Sequence, residues 1–260
     1  MTRFVLLIVL LFFSGALAAQ IRVSKLVIGK NEVYELKNSD ILVADTLVMM
    51  DSARLVLNKL KRDNYIRAQT VIVGNHCIID GRGLNGEPGK SGAPGTTPYG
   101  PCSDGSRGRN GGRGLDGTPG VNLFLYIEDI KLSGTLTIDL SGGNGGRGGD
   151  GGPGGGGSPG TVHCHGGNGG NGGNAGQGGN GADGGSLTLS SKKNPFIQNH
   201  IGSTINVYTH GGLPGLQGRV GDRGPAGLGP SRRHGKNGEL GLEAPNAMAG
   251  INGKVNVEKN

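Results

Sequence analysis

The chain has 260 residues, of which 57 are glycine and only 4% are aromatic, and it contains no tryptophan. A composition this poor in large apolar side chains excludes a single large conventional hydrophobic core. The formal net charge of +7 favours acidic partners without identifying them, and the sequence carries no specific nucleic-acid-binding signal.

The N-terminus has the pattern of a secretory signal peptide. One early cation, Arg3, precedes an apolar run from Phe4 to Phe13, and Ala16 and Ala18 fit an A-x-A cleavage site. The apolar run is too short to span a bilayer. We therefore expect residues 1–18 to be removed from an exported protein without a transmembrane segment in its mature chain. Its location would be extracellular, on the cell surface or in the periplasm.

Residues 19–80 are predicted to form short β-strands. Stretches such as IRVSKLVIG (21–29) and RAQTVIVG (67–74) are rich in Val, Ile and Leu, and Gly, Asn and Asp separate them. Regular short strands favour either a coil of stacked β-rungs or a sandwich. The stretch GNHCIIDGRG (74–83) resembles the rung endings of right-handed β-helix proteins such as pectate lyases. This resemblance implies the coil and nothing about activity.

From residue 81 to residue 254 the chain repeats one unit three times. Each unit contains a run with glycine at every third position, a polar break, a second such run and a β-rung. The three hairpins are predicted at 83–120, 142–185 and 212–253, with rungs at 121–140 and 186–209 and a closing strand at 255–260.

A period of three is that of the polyproline-II helix, which makes no internal hydrogen bonds. Its backbone groups must therefore bond to water or to a neighbour. Two assemblies provide neighbours and demand glycine: the collagen triple helix and a side-by-side bundle called polyglycine II. Runs 142–160 and 166–185 have two glycines in most triplets, whereas the outer runs have one. A second glycine column has no use in collagen, so the sequence favours a bundle with the second hairpin in the middle.

We therefore predict a mostly β and irregular fold. A small right-handed β-solenoid would carry three projecting antiparallel polyglycine-II hairpins, packed as a six-helix bundle. At about 3.1 Å per residue, each leg would extend roughly 45–60 Å.

The glycine runs also resemble known families. GGNGGRGGDGGPGG and HGGNGGNGGNAGQGGNG, in the middle hairpin, are similar to the repeats of glycine-rich springtail antifreeze proteins and to the polyglycine-II sandwich of phage tail-fibre tip adhesins. GEPGKSGAPG and GRVGDRGPAG, in the outer hairpins, resemble bacterial collagen-like proteins. The resemblance is compositional, so it implies a backbone architecture rather than a function.

Three cysteines in an exported protein predict one disulfide and one spare thiol. Cys102 lies in the break of the first hairpin and Cys164 in the break of the second. Antiparallel legs would place both at the far end and allow a Cys102–Cys164 bridge. Cys77 is expected to be buried in an apolar strand. Free thiols, or bridges between chains, would instead fit a collagen-like assembly.

The three breaks differ in sequence more than the runs do, and antiparallel legs would place all three at one end. They combine cations, histidines and an aromatic ring with a single nearby carboxylate, Asp104. Rigid scaffolds that present variable loops are common among binding proteins, and basic loops suit phosphate or carboxylate groups. The candidate binding residues are Tyr99, Arg107, Arg109, His163, His165, Arg232, Arg233 and His234.

We expect an exported, non-enzymatic binding or adhesion module, either a monomer or part of a larger fibre. Its partner would be an anionic polysaccharide, a lipopolysaccharide or a cell-surface receptor. No catalytic, cofactor or metal site is expected, because the carboxylates are scattered and His163–Cys164–His165 supplies at most part of a metal site. The breaks also fit ordinary polar turns that keep the protein soluble.

Two alternatives remain at this point. One is a structural collagen-like protein of the extracellular matrix or cell surface. The other is an ice-binding protein, which needs a flat, regular face of weakly polar groups. The run of Asn168, Asn171 and Asn174 favours ice binding, whereas Arg147 and Asp150 count against it.

Overall fold

The computed structural model describes residues 20–258, and parallel β-sheet is its main regular structure. Within this range only two short 3₁₀ turns, Ile197–His200 and Pro230–Arg232, are helical. The predicted β-rich fold is confirmed, while the predicted signal peptide lies outside the described residues. The strands are β1 (Ile21–Ile28), β2 (Val33–Glu35), β3 (Ile41–Met49), β4 (Arg54–Val56), β5 (Asp63–Val73), β6 (Cys77–Asp80), β7 (Asn122–Leu132), β8 (Leu136–Asp139), β9 (Leu187–Ser191), β10 (Ile205–Tyr208) and β11 (Val255–Glu258).

The strands alternate between two sheets along the chain. Odd-numbered strands form a six-stranded sheet in the order β1-β3-β5-β7-β9-β11, and even-numbered strands form a five-stranded sheet in the order β10-β8-β6-β4-β2. Neighbouring strands are parallel in both sheets. Each pair of strands therefore repeats the path of the pair before it, and equivalent residues lie side by side.

The core consists of aliphatic side chains stacked in register. Leu42, Ile66, Leu125 and Leu189 are successive partners on four strands of the six-stranded sheet, and all four are buried. Alternation of apolar and polar residues places such side chains on one face of each strand. Cys77 is likewise buried, as expected from its apolar strand, and burial raises the pKa of its thiol.

Six glycine-rich runs connect the later strands, and they form neither α-helix nor 3₁₀-helix and are not part of the sheets. Within a hairpin, the Thr118 N–H donates to the Leu84 carbonyl at 2.9 Å and the Ser106 N–H donates to the Thr96 carbonyl at 3.0 Å, so the two legs are antiparallel. The runs are numbered in chain order: run 1 (83–95), run 2 (105–120), run 3 (142–160), run 4 (166–185), run 5 (212–229) and run 6 (235–253).

Hydrogen bonds between hairpins join parallel runs. The Gly83 N–H donates to the Ser141 carbonyl at 2.9 Å, and the Gly95 N–H donates to the Pro153 carbonyl at 2.7 Å. Such bonds connect runs 1, 3 and 5 into one row and runs 2, 4 and 6 into a second row. Antiparallel bonds then join the two rows. Runs 3 and 4, in the middle hairpin, each bond to four other runs.

The paired glycines of the middle hairpin serve two different neighbours. In run 3 the Gly145 N–H donates to Leu213 of run 5 at 2.9 Å, and the Gly146 N–H donates to Leu115 of run 2 at 2.8 Å. A Cβ on Gly145 would overlap the backbone carbonyl of Gly179 in run 4. In the two-glycine triplets, the backbone of the run therefore packs against the backbones of more than one neighbouring run.

The third residue of many triplets also bonds to a neighbouring run. The side-chain oxygen of Asn144 accepts from the Leu213 N–H at 2.8 Å, and that of Asn168 accepts from the Lys236 N–H at 2.8 Å. Asn171 and Asn174 bond to run 6 in the same way. These asparagines thus supply an acceptor to the N–H group of the next run.

A buried charge cluster marks the base of the first hairpin. Asp80, at the end of β6, is only 2% exposed. Its carboxylate accepts hydrogen bonds from Arg54 and from Arg82, whose Nε is 3.1 Å away, and the Lys59 Nζ lies at 3.9 Å. Arg82 also pairs with Asp139 at 3.6 Å. Burial alone would raise the pKa of Asp80, but the hydrogen bonds and the charge of Lys59 outweigh it and lower that pKa from 3.8 to about 2.

Two alanine substitutions in run 3 test the close packing of the runs. Gly148→Ala would place a Cβ against the backbone carbonyl of Gly176, so we expect a loss of at least about 2 kcal/mol in unfolding free energy. Gly156→Ala meets only Thr97 Oγ1 at 3.4 Å and Pro225 Cγ at 3.5 Å. It should be neutral, or stabilising by up to about 1 kcal/mol through the unfolded chain. Denaturant titration of both variants measures the difference; equal stabilities would contradict the packing.

Acid titration tests the Asp80 cluster. Because the folded pKa is about 2 and the unfolded value is near 3.8, the unfolded state binds the proton more tightly. The stabilisation of about 2 kcal/mol should be complete above about pH 4 and disappear as the pH falls through 2. Asp80→Asn should lack this component of the pH dependence, whereas the exposed-carboxylate control Asp222→Asn should retain it. Identical pH profiles for wild type and Asp80→Asn would contradict the assignment.

Candidate functional site

The turns of the three hairpins lie at one end of the molecule. Legs are antiparallel within each hairpin, and equivalent legs are parallel between hairpins, so every turn lies away from the sheets. We define tip 1 as residues 96–104, tip 2 as residues 161–165 and tip 3 as residues 230–234. Together they form the tip surface.

A disulfide joins the first two tips. The predicted Cys102–Cys164 bridge is confirmed, with the two Cα atoms 6.0 Å apart. The Cys102 N–H donates to the Pro159 carbonyl at 2.8 Å, and the Ser158 hydroxyl donates to the Pro98 carbonyl at 2.6 Å. Tip 1 is thus held to tip 2 by a covalent bond and to the adjoining end of run 3 by hydrogen bonds.

Hydrogen bonds join tip 2, and the ends of the two runs that flank it, to tip 3 and the end of run 5. The Gly160 N–H donates to the Leu228 carbonyl at 2.7 Å, and the Gly166 N–H donates to the Arg233 carbonyl at 2.8 Å. The Arg233 guanidinium donates to the Val162 carbonyl at 3.3 Å. Tip 2 therefore lies between the other two, and the three tips make one connected surface.

Two tips contain left-handed backbone at residues other than glycine. Cys102 has φ 61°, and the consecutive residues Ser231 and Arg232 have φ 52° and 64°. Such conformations are unfavourable for most side chains and persist where surrounding contacts hold them. Here the disulfide holds tip 1, and the Arg233 hydrogen bonds hold tip 3. The exposed side chains of tips 1 and 3 therefore project from turns whose backbone is held in place by these contacts.

Most of the predicted binding residues are exposed on this surface. Tyr99 is fully exposed, and His163, His165 and Arg232 are also exposed. His234 is exposed as well, although its Nδ1 accepts from the Gly229 N–H at 3.1 Å within tip 3.

Arg107 and Arg109 lie in run 2 rather than in tip 1. The Arg107 guanidinium donates to the side-chain oxygen of Asn174 at 2.8 Å, so it is held against run 4. Asp104, the one carboxylate near the tips, accepts from the Asn168 N–H at 2.6 Å. Within residues 20–258 no ion pair engages Arg109, Arg232 or Arg233, so the positive charge near the tips is not neutralised by a contacting carboxylate.

Two exposed apolar side chains adjoin the cations. Val162 in tip 2 is 71% exposed, and Leu228 next to tip 3 is 72% exposed. The sequence contained a signal for both, since they are the apolar residues inside otherwise polar breaks. The tip surface thus offers cations, hydrogen-bond donors, one aromatic ring and small apolar patches.

Between residues 20 and 258 no group of three or more His, Cys, Asp or Glu side chains could hold a metal ion. The sulfur of Cys164 is bonded to Cys102, so His163 and His165 have no thiolate between them. No helix among the described residues has the length and apolar character needed to cross a membrane.

No protein-family model matches the chain, and no curated protein matches it significantly. Among solved structures, it is similar to a nine polyproline type II helical bundle springtail antifreeze protein from Granisotoma rainieri. The sequence identity is 23%, the alignment covers 64% of this chain and 96% of that chain, and the TM-score is 0.12. At this TM-score the similarity supports no inference about fold or function.

Proposed function

We propose that the glycine-rich runs are polyproline-II helices packed as a polyglycine-II bundle that projects from a small right-handed β-solenoid. The hydrogen bonds between runs support this, because they recur at every third residue as the helix period requires. The alternation of strands between two parallel sheets is the path that a solenoid takes. The bundle would act as a stiff shaft, which agrees with the resemblance to phage tail-fibre tip adhesins.

This architecture would make the protein an exported, non-enzymatic binding or adhesion module that presents the tip surface to an anionic surface or glycan. One observation carries the proposal: three sequence-distant tips are tied into a single surface whose arginines have no carboxylate partner. A long scaffold does not need a cross-linked end for its own hydrogen bonding. Tips that are held in place before binding, however, lose less conformational entropy when a partner binds.

The chemistry of the tip surface suits phosphate or carboxylate groups. Arg232 and Arg233 can donate charge-assisted hydrogen bonds to such groups. Tyr99 adds an exposed ring that can pack against the apolar face of a sugar. Anionic polysaccharide and lipopolysaccharide share this combination of charge and sugar surface, and they are the proposed partner class.

The alternatives have less support. A collagen-like trimer needs its glycines at an axis shared by three chains, whereas here the glycines pack against runs of the same chain. Ice binding was favoured by Asn168, Asn171 and Asn174. The side-chain oxygens of these residues accept hydrogen bonds from run 6. These bonds explain the row of asparagines without a role in ice binding.

Replacement of the tip residues tests the function. The variant Tyr99→Ala/Arg232→Ala/Arg233→Ala should bind immobilised alginate and lipopolysaccharide at least about tenfold more weakly than wild type, since two charge-assisted interactions are lost. Biolayer interferometry at low and at physiological salt measures the affinities. Wild-type binding should weaken with salt, because an ionic contact is screened.

A charge-matched variant serves as the control. Arg113→Ala/Arg147→Ala/Tyr208→Ala removes two arginines and one tyrosine that lie outside the tips, so it should bind like wild type. Because Arg233 also bonds to Val162, Arg232→Glu alone checks that lost affinity does not reflect a loosened tip 3. Unchanged binding by both tip variants would exclude recognition through the tips.

A further inference from the structure

A second polar surface lies on the outer face of the six-stranded sheet. Backbone pairing between β3 and β5 is interrupted at one residue of each strand. Ala44 pairs with Ala68 and Thr46 pairs with Thr70, so Asp45 lies beside Gln69 without a backbone pairing. The same interruption in backbone pairing occurs between β5 and β7, where Gln69 lies beside Glu128. The burial pattern shifts at the same level, since Ala68 and Val71 are buried whereas Gln69 and Thr70 between them are not.

A groove with a cavity volume of about 680 Å³ follows this level across the sheet. This volume is in the range of small-molecule and cofactor sites, about 300–1,000 Å³. The groove extends from β1 to β9, which are five neighbouring strands of the sheet, so its length is about 19 Å at about 4.8 Å per strand. Small side chains, Ala44 and Ala68, lie at its floor between the outward-pointing residues on either side.

The two walls of the groove have different chemistry. One wall follows the register line through Arg22, Val43, Arg67, Tyr126 and Ser190. The opposite wall follows the unpaired level, where the Gln69 amide donates to the Asp45 carboxylate at 3.4 Å, Glu128 comes next, and Lys192 follows at the β9 end. The guanidinium groups of the first wall and the carboxylates of Asp45 and Glu128 in the second therefore line opposite sides of the groove.

An aromatic stack lies just beyond the cationic wall. Tyr65 and Phe124 are register partners two residues before Arg67 and Tyr126, and their rings stack at 4.7 Å with an interplanar angle of 11°. Tyr126 lies between this stack and the groove. The wall thus combines guanidinium groups with aromatic surface.

We propose that the groove binds a linear, hydroxyl-rich glycan that lies across the strands. A sugar hydroxyl both donates and accepts, so it can bond to Arg67 on one wall and to Asp45 or Glu128 on the other. The C–H face of a sugar ring can pack on Tyr126. Parallel strands repeat these positions at equal intervals, which suits a polymer of repeated units. This site is separate from the tip surface and does not depend on the proposed function.

Oligosaccharide binding tests the proposal. The probes are a neutral β-linked glucose hexamer, a uronate hexamer and the two corresponding monosaccharides, each titrated calorimetrically into the full chain. At least one hexamer should bind. Its monosaccharide should bind at least about tenfold more weakly, because a single sugar ring contacts only a small part of the groove. Arg67→Ala/Tyr126→Ala should weaken hexamer binding at least about tenfold.

Three further variants make the outcome decisive. Lys131→Ala/Tyr208→Ala removes a cation and a tyrosine outside the groove and should bind the hexamer like wild type. Asp45→Ala/Gln69→Ala alters only the exposed opposite wall and should weaken binding even if the first variant folds poorly. The tip variant Tyr99→Ala/Arg232→Ala/Arg233→Ala should leave binding of the neutral glucose hexamer unchanged, because the tips are proposed to bind anionic groups. Absence of hexamer binding, or binding that only the tip variant reduces, would overturn the groove assignment.

Discussion

The structure depends on one constraint: the backbone N–H and C=O groups of the glycine runs have no partner within their own run. None of the backbone hydrogen bonds of these runs joins two residues of the same run, so each group must find a neighbouring run or water. A neighbour can approach closely enough only where no Cβ lies between the two backbones. This explains why the middle hairpin, with neighbours on both sides, needs two glycines in most triplets, whereas the outer hairpins need one.

The sheets set the spacing that this constraint requires. Asp80 of β6 and Asp139 of β8 are register partners, and the Gly81 N–H then donates to the Asp139 carbonyl. Two residues further on, the Gly83 N–H donates to the Ser141 carbonyl directly before run 3, and the Gly86 N–H then donates to the Asn144 carbonyl within run 3. The ladder of the sheet therefore continues directly into the ladder between the runs. The stacked strands act as a template that starts neighbouring hairpins in register, and the Asp80 cluster lies at the first of these transitions.

The sequence predicted the features that follow from backbone geometry. The double glycine column placed the second hairpin in the middle, and the two breaks that contain Cys102 and Cys164 predicted the disulfide. Side-chain contacts between distant segments were not predictable in this way, since they depend on register. Arg107 was expected at the tips but bonds to Asn174, and the asparagines considered for an ice-binding face bond to run 6. The sheet groove was missed because Asp45, Gln69 and Glu128 align only once the strands are paired.

Amide hydrogen exchange across the glycine runs tests the central claim most directly, namely that these runs are ordered by hydrogen bonds to each other. Measured on the full chain in native buffer, the amides of runs 3 and 4 should be protected to an extent that approaches that of the buried strands β5 and β7. Run 6, at the edge, should be less protected. Glycine amides that all exchange at the rate of an unfolded chain, while the strands remain protected, would contradict the account.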